Sequence, residues 1–273
     1  MTKQELVNQI IQKQSFLCVG LDTDVDKIPK FLLDYENPIL AFNQEIIAAT
    51  HDLCVAYKPN TAFYEAQGID GWQNLFHTFQ MIPSNTLKIA DAKRGDIGNT
   101  SSMYANAFFN KMNADAITVS PYMGQDSVTP FVAFQNKWTI VLAATSNSGS
   151  ADFQLQQMQN ENALFENVIS TSSQWGTDEN MMYVVGATRV EAMQRIRKIC
   201  PNHFLLVPGV GAQGGSLNDV FENLHNNSIG LLVNSSRQIL YASSGKDFAY
   251  IAREKAQEIK VEMNALLEKY NFF

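Results

Sequence analysis

The chain has 273 residues, of which 45% are hydrophobic and only 17% charged, against about 25% charged in an average globular protein. Such a composition excludes a disordered chain, and the length suits one large domain or two small ones. The formal net charge of -7 argues against a nucleic-acid partner, because a phosphate backbone demands a basic face.

In chain order, the first prediction is a helix, with Thr2 and Glu5 at capping-box spacing ahead of Leu6, Val7, Ile10 and Ile11. The same stretch lacks the apolar run of a signal peptide, and no run of 18 apolar residues follows. We therefore expect a cytoplasmic protein that does not enter a membrane. Short apolar runs then recur at 16–21, 53–57, 87–90, 116–119, 139–143, 182–185, 204–207 and 229–233. Most are apolar on both faces, as parallel strands buried on both sides are. Segments of helical period lie between them. Ile39, Phe42, Ile46 and Ile47 share one face, as do Leu164, Val168 and Ile169. Asp247 stands where it can cap a last helix carrying Phe248, Ile251, Ile259, Met263 and Leu266. Eight strand–helix alternations favour a closed (β/α)8 TIM barrel over an open doubly wound sheet, and no linker composition divides residues 1–273 into more than one domain.

The segment 146–160 is long and rich in Ser, Gln and Asn, and 138–188 contains neither Lys nor Arg. A segment of this kind is either a lid-like binding loop or a passive surface loop. Cys18, Cys54 and Cys200 form no CxxC pair and are odd in number, which favours a reducing compartment and buried thiols.

Because charge is scarce, Asp91-Ala92-Lys93-Arg94-Gly95-Asp96 stands out, with four charged residues in six directly after an apolar run. In a barrel the C-terminal ends of the strands carry the chemistry. Asp91 and Lys93, two apart, share one side of an extended backbone. A second lysine, Lys58, closes the second run. Neighbouring strands would bring it to Asp91 and Lys93, so that cations and carboxylates hold one another ionised. Asp22 follows the first run on the same rim, where its carboxylate can accept hydrogen bonds from sugar hydroxyls. After the seventh run, Pro208 opens a segment with glycines at 209, 211, 214 and 215. After the eighth comes Asn234-Ser235-Ser236-Arg237. These two loops hold phosphate in many barrels, through backbone N–H groups and an arginine fork, with a helix N-terminus adding a favourable dipole. The four histidines have no metal-ligand spacing, and neither a nucleophile elbow nor a P-loop is present.

Together, Asp91-Ala92-Lys93-Arg94-Gly95-Asp96-Ile97, the runs ending at Asp22 and at Lys58-Pro59-Asn60, the Pro208–Gly215 loop and Asn234-Ser235-Ser236-Arg237 resemble the orotidine 5'-phosphate decarboxylase family, its longer bacterial branch in particular. The resemblance spans essentially the whole chain. It implies a homodimeric (β/α)8 barrel that uses no metal or organic cofactor. The implied reaction converts orotidine 5'-phosphate to uridine 5'-phosphate and CO2, the last step of de novo UMP synthesis. By the same resemblance Lys58, Asp91, Lys93 and Asp96 form an alternating charged array, with Lys93 stabilising and protonating the C6 carbanion. Asp96 reaches into the neighbouring subunit's site, beside Ile97 and Thr100. Asp22 binds the ribose hydroxyls and Ser146 the pyrimidine. Pro208, Gln213, Gly214, Gly215 and Arg237 serve the phosphate end, over which the segment 146–160 closes.

Two other classes fit parts of the pattern. A Schiff-base aldolase would use Lys93 or Lys58 with the same phosphate loop, but carboxylates on either side of Lys93 favour an ammonium over a free amine. A non-catalytic nucleotide-binding protein would keep Gln213 and Arg237 and has no need of a lysine between two carboxylates.

Overall fold

The strands close on one another in chain order, all parallel, with the first pairing the last. The computed structural model describes residues 1–186, 190–210 and 215–273. Its strands are β1 (Leu17–Leu21), β2 (Ala56–Pro59), β3 (Leu87–Arg94), β4 (Ala116–Val119), β5 (Trp138–Ala144), β6 (Met181–Val185), β7 (Phe204–Pro208) and β8 (Leu231–Ser235). Around them lie α1 (Lys3–Lys13), α2 (Pro38–Thr50), α3 (Thr61–Glu65), α4 (Gly68–Met81), α5 (Gly98–Ala105), α6 (Gln125–Val132), α7 (Leu164–Ser172), α8 (Val190–Ile199), α9 (Leu217–Leu224), α10 (Arg237–Leu240) and α11 (Phe248–Lys269). The (β/α)8 barrel expected from the alternation is the observed fold. Among the described residues no helix is long and apolar enough to cross a membrane.

Strand alternation decides what enters the barrel. The Tyr57 hydroxyl donates to Ile47 O of α2, the Lys88 ammonium reaches Phe79 O of α4, and the Tyr183 hydroxyl bonds Ser172 of α7. These three residues therefore face the helical layer. Their neighbours Lys58, Ile89 and Met182 face inward, and Asp91, two residues past Ile89, does so as well. Both sides of the strands are buried in consequence, which is why the runs lack a polar face.

The first helix forms as its capping box predicts, with Thr2 and Glu5 bonding each other's backbone N–H. It lies across the N-terminal ends of the strands. Leu6 and Ile10 are buried there, Lys3 pairs with Asp178 just before β6, and the Trp138 indole donates to Met1 O at 2.8 Å. The last helix differs from expectation at its start. The Asp247 side chain makes no capping bond; its carboxylate accepts the Ser243 hydroxyl at 2.7 Å in the preceding turn. The third strand also departs from the sequence reading, because it continues through Arg94. Asp91 is thus a strand residue, and its burial is made tolerable by the two ammonium groups that meet it.

Candidate active site

Asp91 is the centre of the charged cluster. Its Oδ2 accepts from Lys58 Nζ at 2.6 Å and its Oδ1 from Lys93 Nζ at 2.5 Å. Lys58 is 4% exposed, and Asp22 Oδ1 lies 3.8 Å from its ammonium. Burial presses Lys58 toward the neutral amine, but Asp91 and Asp22 outweigh it and hold the ammonium above the ordinary lysine range. Burial likewise favours the protonated form of Asp91, and Lys58 and Lys93 overcome it, carrying the carboxyl well below the usual carboxylate range. The buried charges are tolerable only because each meets an opposite one.

Lys93 sits differently from Lys58. Its side chain is 50% exposed and its backbone is left-handed, with φ of 46°. The pairing of β3 with β4 shifts between Ala90 and Arg94, so the backbone bulges where the lysine leaves the strand. The two-residue spacing that suggested a shared side therefore brings Lys93 to Asp91 through a bulge rather than through regular extended backbone. Arg94 turns the other way, with its guanidinium donating to Ala92 O and paired with Glu65 at the end of α3.

The structure does not bring Asp96 to Lys93 within the protomer. Asp96 Oδ1 instead accepts the Ile97 N–H at 2.8 Å, and the Ser101 hydroxyl donates to Asp96 O. Ile97 and Thr100 are exposed on the same turn at the start of α5.

Across the barrel mouth, β8 approaches β1. A Cβ on Gly20 would stand 1.9 Å from Ser236 Oγ, so a larger residue there would force the Ser236 side chain to move. Asn234 faces inward there, accepting from the Cys18 thiol at 3.5 Å and donating to Ser236 Oγ at 3.3 Å. Burial pushes the Cys18 thiol far above its ordinary range, so it stays a neutral packing group. Arg237 is exposed at the rim and begins α10, which has four residues. So short a helix contributes little dipole, and the cationic character of this end rests on the Arg237 guanidinium instead. Pro208 pairs with Asn234, and Gly215 precedes α9. Gln213 and Gly214 lie outside the described residues. A cavity of about 210 Å³ joins these parts, with Asp22, Lys58 and Asp91 on one side and Pro208, Ser236 and Arg237 on the other.

At the end of β5, Ser146 lies against β6, where a Cβ on Gly186 would come 2.8 Å from its backbone nitrogen. Its neighbour Thr145 is gripped by Gln154, whose Oε1 accepts the Thr145 N–H at 2.7 Å and whose Nε2 donates to Thr145 Oγ1 at 2.8 Å. The segment 146–160 is thereby folded back on its own strand. It contains a short helical turn at Ser148–Asp152, and Gln157 bridges to Ala163 before α7.

Several supporting residues had no signal of their own in the sequence. Thr118 of β4 donates to Asp91 Oδ1 at 3.1 Å and accepts the Lys93 N–H at 2.9 Å. Its only trace was a hydroxyl inside an apolar run. Behind Asp22, the Tyr241 hydroxyl donates to Asp22 O and accepts the Asp24 N–H, at 2.7 and 2.8 Å. Asn43 of α2 joins Thr23, Tyr64 and Thr78 at 2.6 to 2.9 Å in a buried network that fixes the loop after β1. Asp22 Oδ1 itself is buried without a hydrogen-bond partner among the described residues and faces the Lys58 ammonium at 3.8 Å.

The model of the "Orotidine 5'-phosphate decarboxylase / HUMPS family" matches residues 15–249. An orotidine 5'-phosphate decarboxylase of Flavobacterium johnsoniae is 58% identical, covering 98% of this chain and 99% of its own length. One from Phocaeicola vulgatus is 55% identical, with the same coverage. Among solved structures, the OMP decarboxylase of Leishmania donovani superposes with a TM-score of 0.84 at 35% identity, covering 97% of this chain and 98% of that one.

Proposed function

The chain belongs to the orotidine 5'-phosphate decarboxylase / HUMPS family, and we propose that it converts orotidine 5'-phosphate to uridine 5'-phosphate and CO2 as the last step of de novo UMP synthesis in the cytoplasm. The observation that carries this reading is the Asp91 carboxylate held between the Lys58 and Lys93 ammoniums beside a cavity whose far rim bears Arg237.

Cleavage of the bond between C6 and its carboxylate releases CO2 and leaves the electron pair in an sp2 orbital of the ring, where no ring carbonyl can delocalise it. The Lys93 ammonium stands beside that carbon and then transfers an Nζ proton to it, leaving a neutral amine. One unit-charge contact at 4 Å in an effective dielectric near 20 is worth about 4 kcal/mol. Enzymatic barrier reductions run to roughly 8–23 kcal/mol, so the charge must also be preorganised and supported by binding energy from the rest of the substrate. Asp91 supplies the preorganisation, holding Lys93 at 2.5 Å. Asp22, which lines the cavity, would accept hydrogen bonds from the ribose hydroxyls. Ser146 would meet the pyrimidine; Arg237, with Pro208, Gln213, Gly214 and Gly215, would hold the phosphate under the segment 146–160. The chain acts as a homodimer in which Asp96, Ile97 and Thr100 complete the partner's site, consistent with the outward position of that turn. The Schiff-base alternative loses ground because Asp91 and Asp22 hold Lys58 as an ammonium.

The test is direct. Incubated with orotidine 5'-phosphate and a chelator, the protein should consume the substrate's ultraviolet absorbance while UMP accumulates. A protein that leaves the substrate intact, or that works only with added metal, contradicts the proposal.

A further inference from the structure

Between the pairs Ala90–Ile117 and Arg94–Val119, β3 has three residues and β4 has one. Asp91, Ala92 and Lys93 therefore lie opposite Thr118 alone. A bulge of this size takes the Lys93 N–H off the regular ladder and leaves its backbone in the left-handed region, a strained arrangement for a side chain larger than glycine. Thr118 compensates with a single atom. Its Oγ1 accepts the displaced Lys93 N–H at 2.9 Å and donates its own proton to Asp91 Oδ1 at 3.1 Å. Thr118 is 1% exposed, so water does not readily replace either bond. The same hydroxyl thus fixes both ends of the Lys93–Asp91 pair, the backbone that carries the ammonium and the carboxylate that aims it.

We propose that Thr118 is a positioning residue for the decarboxylation, setting where the Lys93 ammonium stands. The proposal rests on the catalytic reading of Lys93 and Asp91 given above. Without the hydroxyl the Asp91 carboxylate loses one of its three donors, the one held rigidly by the neighbouring strand, and the bulge loses its tie to β4. Contacts to the ribose and phosphate come from β1, β7 and β8, on other parts of the rim. Loss of the hydroxyl should therefore slow the chemical step and leave nucleotide affinity alone.

The experiment compares T118V, T118A, T118S and K93A in the full chain, measuring kcat and KM with orotidine 5'-phosphate, UMP affinity by calorimetry, and folding by circular dichroism. Removing a hydrogen bond to a charged group should lower kcat of T118V and T118A by about ten- to a hundred-fold. UMP affinity should stay within about two-fold of the parent, and T118S, which keeps the hydroxyl, within about three-fold in kcat. A folded T118V or T118A with the parent's kcat overturns the proposal, as does a loss of UMP affinity equal to the loss in kcat, or a T118S as slow as T118V. If neither T118V nor T118A folds, the hydroxyl is a folding determinant and the proposal fails. Retention of activity by K93A would instead sink the catalytic reading beneath it.

Discussion

A single carboxylate organises the site. Asp91 takes one ammonium on each oxygen, and that sharing decides the separate characters of the two lysines. Lys58 is enclosed and locked between Asp91 and Asp22, whereas Lys93, held by Asp91 alone, is half exposed. Arg237 stands at the other end, on the loop after β8, and so acts on a remote part of the substrate. These positions predict a division of labour. K93A should lower kcat by roughly 10⁴-fold or more, because it removes both the proton donor and the charge next to the carbon. R237A should raise KM by roughly 10²-fold, the worth of a charged hydrogen-bonded contact, and lower kcat far less. Steady-state kinetics on both variants decides the matter; equal loss of kcat, with unchanged substrate affinity in R237A, would refute the division.

The elements serve this arrangement by keeping stability and chemistry at opposite ends of the barrel. The first helix covers the N-terminal ends of the strands, while β1, β2, β3 and β8 deliver their charged and polar side chains at the C-terminal ends. The long α11 is tied to the turn after α2 by the Arg253–Asp52 pair, in which each terminal guanidinium nitrogen donates to one carboxylate oxygen at 2.7 Å. The Arg253 hydrogen bond pulls the Asp52 carboxyl down to about 2. A carboxyl whose value is lower in the folded than in the unfolded state stabilises the fold at pH above about 4, and that contribution disappears as the pH falls toward 2. Both side chains are nearly half exposed, so the pair contributes no more than about 1 kcal/mol. D52N should accordingly unfold at lower urea than the parent at pH 7, and the gap between their midpoints should close between pH 4 and pH 2. A gap that persists unchanged to pH 2 would show that the ion pair is not its source.

At the scale of the whole molecule, the turn that carries Asp96 and Ile97 faces outward. Ile97 is 50% exposed, and Met103 of α5 with Tyr122 and Met123 before α6 leave further apolar surface beside it. Such a face is expected to be covered by the second subunit of the proposed homodimer, which would bring Asp96 to the partner's Lys93 and Asp91 pair. A site built from two chains can be complemented. K93A and D96A should each be nearly inactive alone. After random reassortment half the dimers are mixed, and each mixed dimer has one of its two sites intact, so about a quarter of the parental activity should return. Mixed dimers that form and stay inactive would rule out the shared site.

The sequence by itself determined the barrel, because eight runs buried on both faces and separated by amphipathic segments leave few other ways to cover the apolar surface. It also made Lys58, Asp91 and Lys93 legible, since charge at the end of an apolar strand is conspicuous in a chain so short of charge. Tertiary structure alone decided how those charges are held. The bulge at Lys93, the reach of Thr118 from the next strand, and the Tyr241 and Asn43 bonds behind Asp22 all join residues far apart in the chain, and nothing in local spacing encodes such pairings. The Asp247 carboxylate, free by its sequence to cap a helix, accepts the Ser243 hydroxyl instead, a choice between two local donors that spacing alone leaves open.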